Sequence, residues 1–492
     1  MTDEKTRADR SDAFKEMFQR TERIRLCKAG SEEFRSEKWA KKYLPPEAGE
    51  ETSRQVEGGR FQRYSEWEQR RNLAEIEPFF TSAVEDAVGE ILRRGVAFGK
   101  DVPDDIQRWM ERADQQRNHL AVFARRWLSD AVEFGLSCCM VDAPRFEGTR
   151  AADERAWRPY LVHIRFEDLR HAEPMVVGAE VRLRLLRYVE KTEKDGKRTI
   201  HHVRELEQTD AGPTSALWHV IEEKEGKAKE EVLAEPPVLL DHHEYIPVEP
   251  LYTGWEGFFR ARPPWLDLAD MNIGQTQRQC DLDHSLRITA GAQLHRTGIL
   301  EEEATSQDRV GPRTIWWSQN PEASAEWLER NGAGAKVLMD RLDRRAQMME
   351  RMKGQVFIQE SGNETATGRF IDASQASTRA QRWAVGLQDA VENVFAMLSR
   401  HLTPPQDDGG SVTVALPEPR SPRDVELLKV GLEANAMLGV PTSRTWLEQY
   451  KRQGGLPDDF DVDKEVGMVE EVLPGVASGP SYVVADTEGG DG

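Results

Sequence analysis

Two helix-patterned stretches that enclose a short insert constrain this chain more than any other feature. The first runs from Trp265 to about Leu286, with Leu268, Met271, Ile273, Cys280 and Leu282 on its less polar positions. Pro263 and Pro264 precede it, and proline suits a first helical turn. The second covers Lys336 to Lys353 through Leu338, Leu342, Met349 and Met352 and breaks at Gly354. Both carry few large apolar residues, the pattern of a helix packed along a narrow stripe rather than buried all round. Between them, strands are expected near Ala292–Arg296 and Thr314–Ser318, with a small helix at Pro321–Arg330 ended by Asn331-Gly332. Antiparallel helices flanking a small domain form a stalk with a lobe at its tip. Repeated around a ring, such stalks would line a channel, one face on the neighbouring subunit and another on solvent.

The rest of the chain supplies the body. Residues 1–59 are highly charged and read as an arm that wraps a surface or waits for a partner. From Leu73 through Ile76, Phe79, Phe80, Val84, Val88, Ile91 and Leu92 the apolar residues recur at three and four, predicting an amphipathic helix that ends near Gly95. A second such helix carries Leu120, Phe123, Ala124, Trp127, Leu128, Ala131 and Phe134 and stops at Gly135. Leu136 to Val141 reads as a buried strand. Alternating strands follow at Tyr160–Ile164, Glu180–Glu190, Thr199–Leu206 and Leu217–Glu222, an antiparallel module that Pro236-Pro237, Pro247 and Pro250 lead out of. A loop, Gln355 to Glu364, precedes the longest predicted helix, Thr365 to Leu402, which ends before Pro404-Pro405. After a strand at Val412–Leu416, Ser421-Pro422-Arg423-Asp424 opens a further helix and Arg444–Gln453 forms another, before an acidic, glycine-rich tail. The expected class is α+β, predominantly helical.

The formal charge of −20, from 87 acidic and 67 basic side chains, argues against a protein that grips a nucleic-acid backbone by releasing counterions. It leaves DNA open as cargo, because an acidic surface lets a duplex slide past without sticking. The four cysteines, Cys27, Cys138, Cys139 and Cys280, have no metal-knuckle spacing and read as reduced and buried. No apolar run approaches a membrane span, and Met1 to Arg25 lacks the apolar centre of a signal peptide. A soluble protein made in a reducing cytoplasm is expected.

Motifs for chemistry are few. Gly95-Val96-Ala97-Phe98-Gly99-Lys100-Asp101 is one residue short of a phosphate loop, and Asp101 would repel the anion. His201-His202 and His242-His243, if on strands, point to opposite faces and cannot chelate one metal by themselves. There is no Gly-x-Ser-x-Gly elbow. Tryptophans such as Trp316 and Trp317, without a basic groove, read as packing anchors rather than base-stacking platforms. No catalytic residue, metal or cofactor is expected.

The ordered succession Tyr43-Leu44-Pro45-Pro46, Val141-Asp142-Ala143-Pro144, Ile246-Pro247-Val248-Glu249-Pro250-Leu251-Tyr252, Pro263-Pro264-Trp265-Leu266-Asp267-Leu268-Ala269, Gly311-Pro312 and Glu364-Thr365-Ala366-Thr367-Gly368 resembles the portal proteins of tailed phages and prophages over about residues 40 to 470. The resemblance implies a dodecameric ring at one capsid vertex, a virion component assembled in the bacterial host cytoplasm. Double-stranded DNA would pass through it during packaging and ejection. The terminase large subunit, a head-completion adaptor and the major capsid or scaffold protein would be partners, and the subunit itself would hydrolyse nothing. By position the resemblance divides the chain into a wing at 60–263, first stem helix at 264–286, clip at 287–335, second stem helix at 336–353, tunnel loop at 354–364, long wing helix at 365–402, crown at 411–470 and mobile tail at 471–492. The implied fold is portal-like, with a helical wing and stem, an antiparallel β module in the wing, a small α/β clip and a helical crown.

On that reading Asp267, Asp270, Asp281 and Asp283 are acidic tunnel-lining candidates that keep DNA from adhering. Arg344, Arg345, Arg351, Lys353 and Gln355 are candidates for brief DNA contact, although the bases also stand at helical spacing from Asp340, Asp343 and Glu350 and could pair with them. Trp316, Trp317 and Trp327 are docking candidates on the clip. A second reading is a ring-forming, capsid-associated scaffold that does not handle DNA.

Overall fold

A computed structural model describes residues 6–46, 51–56, 60–144, 158–196, 198–223, 229–290, 293–298, 320–328, 333–355 and 379–415. The chain divides into two compact units, residues 1–354 with 380–415 and residues 355–379 with 416–492. The second unit lies outside the described residues except at Gln355 and Arg379, as do the expected tunnel loop, the start of the long helix, the crown helices and the tail.

The first unit opens with three helices, α1 (Asp12–Arg20), α2 (Glu22–Phe34) and α3 (Glu37–Tyr43), in the region expected as a charged arm. They are part of the core. Phe14, Met17, Ile24, Leu26, Cys27 and Phe34 are buried, and the charges that dominate the sequence occupy the outer faces, as in the exposed Lys41–Glu37 pair. A backbone hairpin follows, β1 (Glu51–Val56) with β2 (Arg60–Ser65). The helix expected from Leu73 to Gly95 is the shorter α5 (Phe79–Ile91), and Leu73 instead ends a separate helix, α4 (Glu66–Leu73). Pro78 lies between them and caps α5, because its ring and missing N–H do not fit a helix interior.

Next come β3 (Val96–Phe98), α6 (Asp104–Met110) and α7 (Leu120–Phe134). Gly135 ends α7 in a left-handed conformation, φ 90°. A Cβ there would lie 2.7 Å from the Arg262 carbonyl oxygen, so only glycine turns this corner. The turn feeds β4 (Leu136–Asp142), buried from Leu136 to Val141 and the centre of a three-stranded antiparallel sheet with β5 (Tyr160–Ile164) and β11 (Val248–Tyr252). Phe123, Trp127 and Phe134 of α7 are buried, and Phe134 stacks on Phe166 with ring centroids 5.1 Å apart. The buried Asp130 accepts the Phe166 N–H at 2.9 Å. All four cysteines are free and buried.

A five-stranded antiparallel sheet in the order β10-β9-β8-β7-β6 overturns the expectation of a predominantly helical, portal-like fold. Its strands are β6 (Leu169–Val177), β7 (Glu180–Asp195), β8 (Arg198–Thr209), β9 (Gly212–Glu223) and β10 (Lys229–Leu239). Among the described residues there are ten helices and about 29% strand, a mixed α+β protein. The sheet exceeds its sequence pattern: the exit expected at Pro236-Pro237 lies within β10, and β6, which carries Pro174, has no counterpart among the expected strands. Both strands are sheet edges, where a missing N–H disrupts no central ladder.

A small hairpin, β12 (Trp255–Gly257) with β13 (Arg260–Ala261), leads to α8 (Leu266–Ala290). Then come β14 (Gln293–Thr297), β15 (Ser324–Leu328), α9 (Ala333–Gln355), α10 (Arg379–Ser399) and β16 (Val412–Val414). β15 replaces the helix expected at Pro321–Arg330; its backbone pairs antiparallel with β14. β16 pairs with β3. This pairing uses up the phosphate-loop-like stretch: Asp101 accepts from the Ser411 N–H at 2.9 Å and its hydroxyl at 2.7 Å, and the Gly99 N–H donates to the Ser411 carbonyl.

Candidate functional site

α8 and α9 form the antiparallel hairpin that the sequence pattern suggests. Leu282 of α8 packs with Ala335 and Leu342 of α9, flanked by Leu286 and Leu338. Further along, Gln275 Nε2 donates to the Leu342 carbonyl at 3.4 Å and Arg345 Nη2 to the Met271 carbonyl at 3.3 Å. Rising numbers on α8 therefore meet falling numbers on α9, and the β14–β15 hairpin lies in the connection. The polar character of α8 has a local cause. Its buried Asn272, Gln275 and Thr276 bond the Glu77, Leu342 and Asn272 carbonyls, so their burial leaves those donors satisfied.

The acidic candidates divide. Asp270 pairs with Arg23 of α2 at 2.8 Å, and Asp281 lies 3.6 Å from Arg70 of α4, whose side chain is buried. Those two carboxylates serve the packing of the N-terminal helices on α8. Asp267 and Asp283 are exposed, the latter accepting from Gln279 at 3.1 Å. Sixteen residues apart at 100° each, they point to nearly opposite sides of α8, so no single acidic face unites the four.

The basic candidates divide more usefully. Arg345 turns inward against Gly274 and Met271, where burial and the neighbouring Arg278 lower its proton affinity. Lys353 is held by Glu350 at 3.3 Å and by Asp86 of α5 at 3.7 Å. Arg344 and Arg351 are exposed and make no ion pair or hydrogen bond among the described residues. Arg341, absent from the sequence-based candidates, is equally exposed and unengaged. Positions 341, 344, 348 and 351 recur at three and four, so three arginines flank an exposed Met348 on one face of α9. The side chain of Gln355, Trp316 and Trp317 lie outside the described residues, and Trp327 is placed only by its backbone, opposite Leu294.

A second polar site went unseen in the sequence. A cleft of about 620 Å³ is walled by Glu180 and Arg182 of β7, the turn from His243 into β11, and Asn393 and Arg400 from the end of α10. Glu249 of β11 accepts from Asn393 at 3.0 Å, and burial pushes its carboxyl up to about 7 against that hydrogen bond. Arg182 pairs with Glu180 and lies 5.2 Å from the Tyr245 ring centre. The adjacent histidines behave differently in the two places. His202 packs on His219 within the sheet, with centroids 4.4 Å apart, whereas His242 and His243 sit in a turn and meet His401. Among the described residues no group of three or more His, Cys, Asp or Glu is arranged to hold a metal ion, and no helix is long and apolar enough to cross a membrane.

Residues 264–402 match a family described as a domain of unknown function, DUF4055. The matched stretch begins just before α8 and ends just after α10, so it takes in the helical hairpin and its insert. It is compatible with a phage-type protein. No curated protein matches the chain.

Proposed function

We propose that this chain is the subunit of a phage portal, a ring at one capsid vertex through which DNA is packaged and ejected and on which terminase and a head-completion adaptor dock. The observation that carries the reading is the antiparallel α8–α9 hairpin with exposed, unengaged arginines along one face of α9. In a ring of such hairpins, a row of three guanidinium groups supplies transient phosphate contacts. The net charge of −20 keeps them from adding up to a grip. The ordered motif resemblance supports the same reading, and the matched family segment, which spans the hairpin, is compatible with it. The subunit acts passively in this scheme, with a separate motor supplying the work.

Electron microscopy of the purified full chain tests it. Rings with a central opening wide enough for a duplex, about 20 Å, are expected; a closed monomer sinks the proposal. Rings whose DNA packaging is indifferent to reversing Arg341, Arg344 and Arg351 together would instead favour a scaffold that never handles DNA.

A further inference from the structure

The turn between β10 and β11 meets the end of α10 through histidines from both sides. Nε2 of His243 lies 3.0 Å from Nε2 of His401, with the ring centroids 4.9 Å apart. The His242 ring is 4.4 Å from that of His401. His401 is buried and His243 half-buried. Two ring nitrogens at this distance bond only when one carries a proton and the other presents its lone pair. One added proton leaves an imidazolium donating to a neutral imidazole; a second added proton sets two N–H groups face to face on two cations, and the contact becomes repulsive.

We propose that His243 and His401 form an acid-labile latch that holds the β10–β11 turn against the end of α10 and releases it as pH falls. The turn is the return path from the five-stranded sheet to the three-stranded one. Gln208 Nε2 of β8 donates to the Glu244 carbonyl at 2.9 Å, and the Leu240 N–H donates to the Pro213 carbonyl at 2.8 Å, so the turn moves with the sheet. His243 is also a wall of the cleft beside α10. Releasing the latch therefore gives the sheet a hinge and opens that wall.

The charged surroundings oppose protonation of the closed state. Burial, then His401, Arg400 and His242, hold His243 down to about 3, and burial with His242 holds His401 down to about 4. Asp241 and Glu244 flank the pair on the turn. Glu180, Arg182 and Glu249 line the adjoining cleft. Both histidines stay depressed despite these carboxylates. A freed imidazole titrates near ~6.5, so the open turn binds more protons than the closed one. The latch is at full strength above that value and weakens as pH falls from it toward the closed-state range. About two pH units below ~6.5, opening gains on the order of a hundredfold per histidine.

Hydrogen exchange of the full chain, read by mass spectrometry at about pH 7.5 and about pH 4.5 and normalised to unstructured-chain rates, tests this. Peptides over 238–250 should lose protection by at least ~tenfold at the acid pH while those over α7 keep theirs. His401→Phe and His243→Gln, the latter still able to hydrogen-bond His401, each leave one titrating histidine and should cut the acid loss of protection to about half on a logarithmic scale, and the two together should keep the turn protected in acid. Unchanged protection of the wild-type turn overturns the proposal. So does loss of protection across the whole chain together, or variants that open as readily as the wild type. Should His401→Phe fail to fold, His243→Gln decides alone.

Discussion

At the scale of single residues, Glu249 and Gly135 show how strongly placement sets chemistry. Glu249 is an unremarkable acid in the sequence, on a short strand beside Pro250. The structure puts it against α10, where burial raises its carboxyl to about 7. A raised carboxyl means that the folded state holds the proton more tightly than the unfolded chain. Glu249 is therefore compatible with full stability at low pH and subtracts from it as pH rises from the ordinary carboxylate range through about 7. Glu249→Gln keeps an acceptor for Asn393 and removes the charge. It should raise stability by about 1–2 kcal/mol at pH 8 and change little at pH 5, measured by urea unfolding at the two values. Gly135→Ala places a methyl group 2.7 Å from the Arg262 carbonyl oxygen at a positive φ. It should cost about 2–3 kcal/mol in the same assay at every pH. The glycine is legible in the sequence as a helix stop. The acid is not, because its burial depends on a helix more than 130 residues away.

At the scale of elements, rotation about the helix axis decides which of several similar side chains are available. Arg344 and Arg345 are neighbours in sequence and about 100° apart on α9, so one meets solvent and the other the backbone of α8. Arg345→Ala should destabilise the hairpin by about 1–2 kcal/mol through the lost charged hydrogen bond and stem packing. Arg344→Ala should leave thermal stability within about 0.5 kcal/mol of wild type and, on the function proposed above, show its effect only in packaged DNA, a contrast that paired melting and packaging assays would read. The apolar period of α9 marks the stretch as helical. It does not distinguish Arg345, since an inward arginine depends on a glycine opposite it, Gly274, on another helix. The same reasoning separates the elements that are plain in sequence from those that are not. α7 carries a sustained apolar stripe and a glycine stop. β6 and β10 are disguised by prolines that only an edge position accommodates, and α1 to α3 are disguised by charged outer faces over a buried stripe.

At the scale of the whole molecule, the acid excess suits the DNA conduit proposed above, and among the described residues the exposed row of Arg341, Arg344 and Arg351 lies on α9. In free solution at physiological salt the full chain should bind linear duplex no more tightly than about 10 µM, and a gel-shift series over salt would show it. The N-terminal helices carry a different consequence. Cys27 lies 3.8 Å from the Ala269 carbonyl, Arg23 pairs with Asp270, and Gln277 bonds the Tyr43 carbonyl. These N-terminal helices thus complete their packing only with a helix made more than 220 residues later. At synthesis speeds of roughly 5–20 residues per second that is a delay on the order of tens of seconds, through which α2 has no α8 to pack against. Nascent chains stopped before residue 266 should accordingly be retained by chaperones and digested by protease within α2, while chains extended past α8 become resistant. The order of synthesis, set against the order of packing, makes α8 the gate to the folding of helices made long before it.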